Sequence, residues 1–82
     1  MTGHPEPDRA QLAADYAPGW QVFRAESGDV CAWLSPAVPL IVLRDRTVAG
    51  LRARLEIFEN VVHATGSLNR AQDAADAFFD VR

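Results

Sequence analysis

Several ingredients of common enzyme and cofactor sites are missing from this chain. Its 82 residues include one cysteine, Cys31, so neither a disulfide nor a cysteine-based zinc site forms within one copy. The glycines stand singly, without the spacing of a dinucleotide-binding or phosphate-binding loop. No apolar run approaches the roughly 18 residues that a membrane-spanning helix needs. We therefore expect no cofactor, no bound metal and no membrane partner.

Lysine is also absent, since the eight basic residues are all arginine, and the net charge is −3. An acidic chain with scattered arginines lacks the one-sided basic surface of a nucleic-acid-binding protein. The polar N-terminus does not have the basic and then apolar pattern of a signal peptide. The sequence thus predicts a cytoplasmic protein that does not bind nucleic acid.

The composition is that of a small globular domain, with 49% hydrophobic and 23% charged residues. A domain of this length buries only a modest fraction of its surface, so self-association would add to its stability. We predict a mobile lead over residues 1–7 and a single small α+β domain over residues 8–82.

Apolar periodicity and capping residues predict the order α-β-β-β-α-α, with a three-stranded antiparallel sheet. Ala17-Pro18-Gly19 ends the first helix, Thr47 caps the second, and Gly66 allows the chain to reverse before the third. The predicted elements are a helix at Asp8–Tyr16, strands at Trp20–Ala25, Val30–Leu34 and Val38–Leu43, and helices at Val48–Val62 and Leu68–Val81. The third strand is continuously apolar, which is typical of a strand buried on both sides, whereas Pro39 within it suits an edge strand or the start of a strand.

The turn between the first two strands decides which side chains share a face. If Ser27-Gly28 is a two-residue loop, Phe23 faces Ala32 and Val22 faces Trp33. This register places Trp20, Val22, Arg24, Cys31 and Trp33 on one face, and Phe23, Ala25, Val30, Ala32 and Leu34 on the other. Both faces are apolar, and the main helix covers only one. The other needs a further helix, a second copy of the chain, or a partner.

Large aromatic side chains provide the candidate interface. Trp20 and Trp33 share a predicted face with Val22, and both a core and an interface interpretation remain open for them. Phe78 and Phe79 would anchor the Ala-rich last helix on its own sheet or on a second subunit. The predicted interface residues are therefore Trp20, Val22, Trp33, Phe78 and Phe79.

Arginines cluster near the start of the main helix. Arg44, Arg46 and Arg52 would form a patch for an anion or an acidic partner beside the helix N-terminus. The other interpretation is a solvated face whose arginines pair with neighbouring carboxylates.

Two side chains with catalytic potential have simpler explanations. His63 lies four residues after Glu59, the spacing of an acid–base pair or half a metal site, but a solvated histidine near a helix end is favoured by the helix dipole. Cys31 within a strand is typical of a small buried hydrophobe, and no activating signature accompanies it. We expect no catalytic residues and no enzymatic activity.

The order β-β-β-α, with a threonine starting the helix, resembles the HicB-like antitoxin domains over Trp20 to Leu55. The matching residues are Gly28 in the turn, Ser35-Pro36 after the second strand, and Asp45-Arg46-Thr47-Val48 before Leu51. The chain departs from that family in lacking a Pro-Gly pair before the third strand and in having Ala49-Gly50 where acidic residues usually follow the threonine. The resemblance implies the neutralisation of a small toxin by protein binding.

The helix-β-β-β-helix order also looks like a double-stranded-RNA-binding domain. The basic motif of such domains at the second helix is replaced here by Val48-Ala49-Gly50, so we predict no RNA binding. The sequence favours a non-enzymatic protein-interaction or regulatory module that binds itself, as a homodimer, or another protein. The alternatives are a HicB-like antitoxin and a ligand-binding or catalytic protein with a pocket between sheet and helices.

Overall fold

A computed structural model describes residues 7–35 and 40–78 and confirms the predicted α+β order. Its elements are α1 (Pro7–Tyr16), β1 (Trp20–Arg24), β2 (Val30–Leu34), β3 (Ile41–Asp45), α2 (Val48–Thr65) and α3 (Leu68–Asp76). Residues 1–6 of the predicted lead, the predicted start of the third strand at Val38, and Phe79 lie outside the described residues. The predicted lead ended at Pro7, which is instead the first residue of α1.

The three strands form one antiparallel sheet in the order β1-β2-β3. Of the two interpretations of the third strand, burial on both sides is wrong, and β3 is an edge strand of this sheet. Ile41 and Leu43 are almost fully buried, whereas Val42 between them is 36% exposed. Alternation of this kind means that one face of β3 is packed and the other faces outward.

The β1–β2 loop has three residues, so the predicted two-residue loop is wrong. The Ala25 N–H donates to the Asp29 carbonyl at 2.8 Å, and the Gly28 N–H donates to the Ala25 carbonyl at 2.9 Å. Gly28 has a φ of 96°, which glycine adopts without steric cost. A tight turn followed by one residue at positive φ is a common three-residue hairpin connection.

The longer loop shifts the register by one residue, so that Arg24 pairs with Val30 and Val22 with Ala32. A one-residue shift moves every side chain of a strand to the opposite face. The predicted grouping of Trp20 with Trp33 is therefore wrong. The apolar residues on the packed face are Trp20, Val22, Val30, Ala32, Leu34, Ile41 and Leu43.

The main helix, α2, begins where its predicted cap places it. The Thr47 side-chain oxygen accepts a hydrogen bond from the Gly50 N–H at 3.0 Å. At the other end Gly66, with a φ of 72°, donates its N–H to the Val62 carbonyl at 2.7 Å. Between these caps the helical spacing turns Leu51, Leu55 and Phe58 into the core.

In the described part of the chain, all three helices pack on the same face of the sheet. Leu12 from α1 and Ala71 and Ala75 from α3 belong to the same buried cluster as the α2 residues and the packed sheet face. The two alanines allow α3 to approach α2 closely, since a small side chain keeps the backbones near each other. The opposite face of the sheet is left without a helix from the described residues.

Candidate functional site

The uncovered side of the sheet is the candidate functional surface, and we call it the open face. It consists of the outward-pointing side chains of all three strands: Gln21, Phe23, Cys31, Trp33, Val42 and Arg44. Two cross-strand rows build it, one running Phe23–Cys31–Arg44 and the other Gln21–Trp33–Val42. Each row spans the full width of the sheet.

The centre of the open face is apolar and accessible to solvent. Phe23 is 42% exposed and Trp33 is 37% exposed, although both are large hydrophobic side chains. Trp33 and Val42 are direct cross-strand neighbours, about 5 Å apart, and Phe23 lies diagonally from Trp33 at about 7–8 Å, a separation that large side chains bridge, so the three form one contiguous group. A contiguous exposed apolar group, in contrast to a scattered one, is typical of an interaction site.

Cys31 lies at the middle of this face but is itself only 5% exposed. It sits on the central strand, between Phe23 on β1 and Arg44 on β3. A thiol that its neighbours shield in this way packs as a small hydrophobe and is poorly placed to act as a nucleophile.

One end of the open face carries a fixed positive charge. The Arg44 guanidinium contacts the Asp29 carboxylate at 2.9 Å, while 65% of the arginine side chain remains exposed. The hydrogen bond and the charge of Asp29 raise the pKa of Arg44. The ion pair orients Arg44 at the hairpin end of the face, where it can still contact an acidic group on another molecule.

Trp20 lies on the packed face and not on the open face. Its ring meets Phe58 edge to face, with centroids 5.1 Å apart, and its Nε1–H donates to the Glu59 carboxylate at 2.8 Å. Only 4% of the residue is exposed. Val22, also predicted in the interface, is half-buried on the same side. No local pattern indicates the Trp20–Glu59 bond, since 39 residues separate the partners.

Phe78 follows the end of α3 and lies beside Arg54 in the first half of α2. The Arg54 guanidinium is 5.5 Å from the centre of the Phe78 ring, within cation–π range. Arg54 also donates to the Ala75 carbonyl at 2.6 Å and to the Asp45 carboxylate at 3.0 Å. Phe78 thus packs within its own chain, and Phe79, its predicted companion, lies outside the described residues.

The three arginines of the predicted patch are not brought together. Arg44 lies on the open face, whereas Arg52 lies among the helices on the other side of the sheet and pairs with Asp15 at 3.0 Å. Hydrogen bonds from Gln11 and from Arg52 lower the pKa of Asp15. Arg46 is exposed in the bend before α2. The structure separates the patch into individual arginines, two of them in ion pairs.

A cavity of about 330 Å³ lies between α1 and α2, and not between the sheet and the helices. It is lined by Asp8, Gln11, Val48, Ala49, Arg52, Ala53 and Glu56. Among these described lining residues the one cation, Arg52, is engaged by Asp15. His63 is exposed on α2, and its predicted companion Glu59 accepts the hydrogen bond from Trp20.

Within residues 7–35 and 40–78, no three His, Cys, Asp or Glu side chains are grouped to hold a metal ion. Among the same residues no helix has the length and apolar character to cross a membrane. Comparison with known proteins finds no matching family model, no similar curated protein and no similar solved structure.

Sequence reasoning missed Phe23 and Val42 as members of this surface. The signal that could have found them is Gly28. Glycine is typical of the last position of a three-residue hairpin loop, as it is of the last position of a two-residue loop, so both loop lengths fit the sequence. With that loop, Phe23 and Trp33 fall on the same face.

Proposed function

We propose that the protein is a non-enzymatic interaction module that binds another protein chain through its open face. One observation carries this proposal: the three helices already cover one side of the sheet, and Phe23, Trp33 and Val42 remain exposed together on the other. Covering such a group on binding removes apolar surface from water, at roughly 25 cal/mol per Å². We further propose that the protein acts in the cytoplasm.

The size of the open face favours a single helix of the partner as its occupant. Each strand has five residues and is about 16 Å long, and the axes of the two outer strands, β1 and β3, are about 10 Å apart. This area is well below the roughly 800 Å² per partner of a standard protein–protein interface, so tight binding of any occupant would need contacts beyond the face itself. A helix with side chains is about 10 Å wide and fits along the apolar strip.

The exposed positive charge of Arg44 suggests which side chains such a helix would have. Arg44 projects at the hairpin end of the face with most of its side chain in solvent. We expect an amphipathic partner helix with apolar residues three and four apart and an acidic residue placed to reach Arg44. A small toxin, the partner implied by the HicB-like resemblance, is one candidate to supply such a helix. A second copy of this protein is the other occupant to distinguish.

Site-specific photo-crosslinking tests the proposal and identifies the occupant. A photoreactive residue at Trp33 should crosslink one defined polypeptide in cells, whereas the same residue at Ala64, exposed on α2, should not. Mass spectrometry then separates a foreign chain from a second copy. Equal crosslinking at both positions, or none at Trp33, would contradict the proposal.

A matched pair of charge substitutions extends the test to affinity. Val42→Glu places a carboxylate on the open face, and Ala64→Glu places the same charge on the far side of α2. We expect Val42→Glu to weaken binding of the identified chain at least tenfold in calorimetry, with Ala64→Glu close to wild type. Equal affinities for the two variants would count against the open face.

A further inference from the structure

Leu40 is the most exposed large hydrophobic residue in the described part of the chain, at 63%. It immediately precedes β3, where Ile41 is 2% exposed and Val42 is 36% exposed. Successive side chains of an extended chain point to opposite sides of a sheet. Leu40 therefore lies on the same side as Val42 and extends the open face by one row beyond the end of the strand. Its side chain supplies a contact of the kind that a face of this size needs beyond its own strands.

The exposed apolar residues of the open face follow a diagonal across the strands. Phe23 lies on β1, in the open-face row nearest the hairpin, and Trp33 lies on β2 in the next row. Leu40 adjoins β3 one row further on, beyond the pair of Trp33 and Val42. We call Phe23, Trp33 and Leu40 the diagonal stripe. Diagonal neighbours in a sheet are about 7–8 Å apart, so the stripe is about 15 Å long.

Polar side chains flank the diagonal stripe on both sides. Gln21 is exposed on β1, where it is the cross-strand neighbour of Trp33. Arg44 lies on β3 beyond Cys31, with 65% of its side chain exposed. An apolar strip with polar borders is complementary to an amphipathic helix, in which polar residues border an apolar face.

We propose that the diagonal stripe binds one amphipathic helix of another protein, which crosses the strands obliquely. This inference rests on the proposed function and adds to it the direction of the helix and a further contact residue, Leu40. A helix rises about 5.4 Å per turn, so the length of the stripe corresponds to about three turns. The partner helix should therefore present apolar residues three and four apart over about three turns.

Charge favours a foreign helix over a second copy of this chain. The described strand residues of the open face include one charged side chain, Arg44, and no carboxylate. Asp29, at the hairpin end, is already engaged by Arg44 of its own chain. A second open face would bring another arginine and no acidic group to meet the first. A carboxylate on a foreign helix would instead form a charge-assisted hydrogen bond with Arg44.

Photo-crosslinking at three positions tests the direction of the helix. A photoreactive residue replaces Phe23, Trp33 or Leu40 in the full chain in cells, and mass spectrometry locates the crosslinked residue on the partner. All three should crosslink the same foreign polypeptide. The contacts of positions 23 and 40 should lie about ten residues apart within one segment of helical apolar spacing. Gln21, on the same face but outside the stripe, is the matched control and should crosslink more weakly.

Calorimetry tests the contribution of Leu40 to affinity. Leu40→Ser should weaken binding of the polypeptide that position 33 crosslinks at least fivefold. Gln21→Ser, which shortens a polar side chain on the same face, should leave the affinity close to wild type. Because both residues are exposed, thermal unfolding of the two variants should match that of the wild type.

The outcomes separate the diagonal stripe from the proposed function. Crosslinking at position 33 with none at position 40, or an unchanged affinity of Leu40→Ser, would overturn the stripe and leave the open face as the binding surface. Contacts of positions 23 and 40 with separate segments of the partner would also overturn it. A second copy of this chain as the crosslinked polypeptide would overturn the foreign helix. No crosslink at any of the three positions would overturn the proposed function, and the stripe with it.

Discussion

At the scale of single residues, the Asp45 carboxylate connects three elements. Asp45 is the last residue of β3. Its carboxylate accepts one hydrogen bond from the Thr47 N–H at 3.1 Å, beside the α2 cap, and another from Arg54 Nε at 3.0 Å. Arg54 in turn holds the Ala75 carbonyl at the end of α3. Both partners of the ion pair are mostly buried, with side-chain exposures of 14% and 18%. A buried pair of this kind is costly to break, because one charge is left without its partner.

Gly50→Ala should destabilise the protein, although alanine is normally the better helix residue by about 1 kcal/mol. A Cβ at position 50 would overlap the Asp45 carboxylate, coming within 2.6 Å of Oδ2. The carboxylate would have to move away from Thr47 and Arg54, so we expect a loss of about 1–3 kcal/mol in urea unfolding. With Asp45→Ala already present, Gly50→Ala should be neutral or stabilising. Equal effects in both backgrounds would rule out this clash.

The same carboxylate should make stability depend on pH in the acid range. Burial alone would raise the pKa of Asp45, but the Thr47 N–H and the Arg54 guanidinium outweigh it, and the pKa is lowered. The unfolded chain then binds more protons than the native state, so stability is fully present above about pH 4 and is lost as pH falls through the folded pKa.

Urea midpoints measured from pH 6 to pH 2 check this expectation. The difference between wild type and Asp45→Asn should be largest near pH 6 and shrink steadily below about pH 4. Asp73, an exposed aspartate on α3, provides the control through Asp73→Asn. A wild-type advantage that stays constant over the whole range would contradict the assigned role of Asp45.

At the scale of elements, local signals predicted the structure well and the pairing between elements less well. Thr47 and Gly66 mark the ends of α2 because a cap needs only its neighbouring residues. The hairpin register was missed because loops of two and three residues share the same glycine, and one residue decides the face. The length of α3 was overestimated, since it ends at Asp76 and not Val81.

Tight packing of α3 on α2 gives a prediction at this scale. Ala71 is fully buried between elements, whereas Ala64 is exposed near the end of α2. Ala71→Leu adds three carbon atoms to a filled core and should cost about 1–3 kcal/mol. Ala64→Leu makes the same chemical change with almost no effect. Thermal unfolding of both variants measures the difference, and similar melting temperatures would mean that α3 is loosely packed.

At the scale of the whole molecule, the fold places its three described helices on one side. The sequence predicted an apolar second face but placed Trp20 on it together with Trp33, because face membership depends on the hairpin loop. The candidate surface was therefore predicted in kind, while only Trp33 among its exposed apolar residues was named in advance. Phe23 and Val42 follow from the observed register.

The fluorescence of the two tryptophans should distinguish the packed face of the sheet from the open face. Trp20 is 4% exposed and Trp33 is 37% exposed. The variant Trp33→Phe, which keeps only Trp20, should show blue-shifted emission with weak acrylamide quenching. Trp20→Phe should show red-shifted, readily quenched emission, which becomes protected when a chain occupies the open face. Equal quenching of the two variants in the free protein would show that the open face is covered.

The three-residue hairpin loop also matters for reading related sequences. Deleting one loop residue would shift β2 by one residue relative to β1, so that each β2 side chain moves to the opposite face. Trp33 would then face the helices and Ala32 would face outward, although no strand residue has changed. A homologue with a shorter loop is therefore expected to carry its bulky residues on β2 one position earlier or later. An alignment with a gap in this loop should therefore be checked for the alternation of apolar and polar residues along β2. Matching a tryptophan to Trp33 by identity alone would align residues that lie on opposite faces of the sheet.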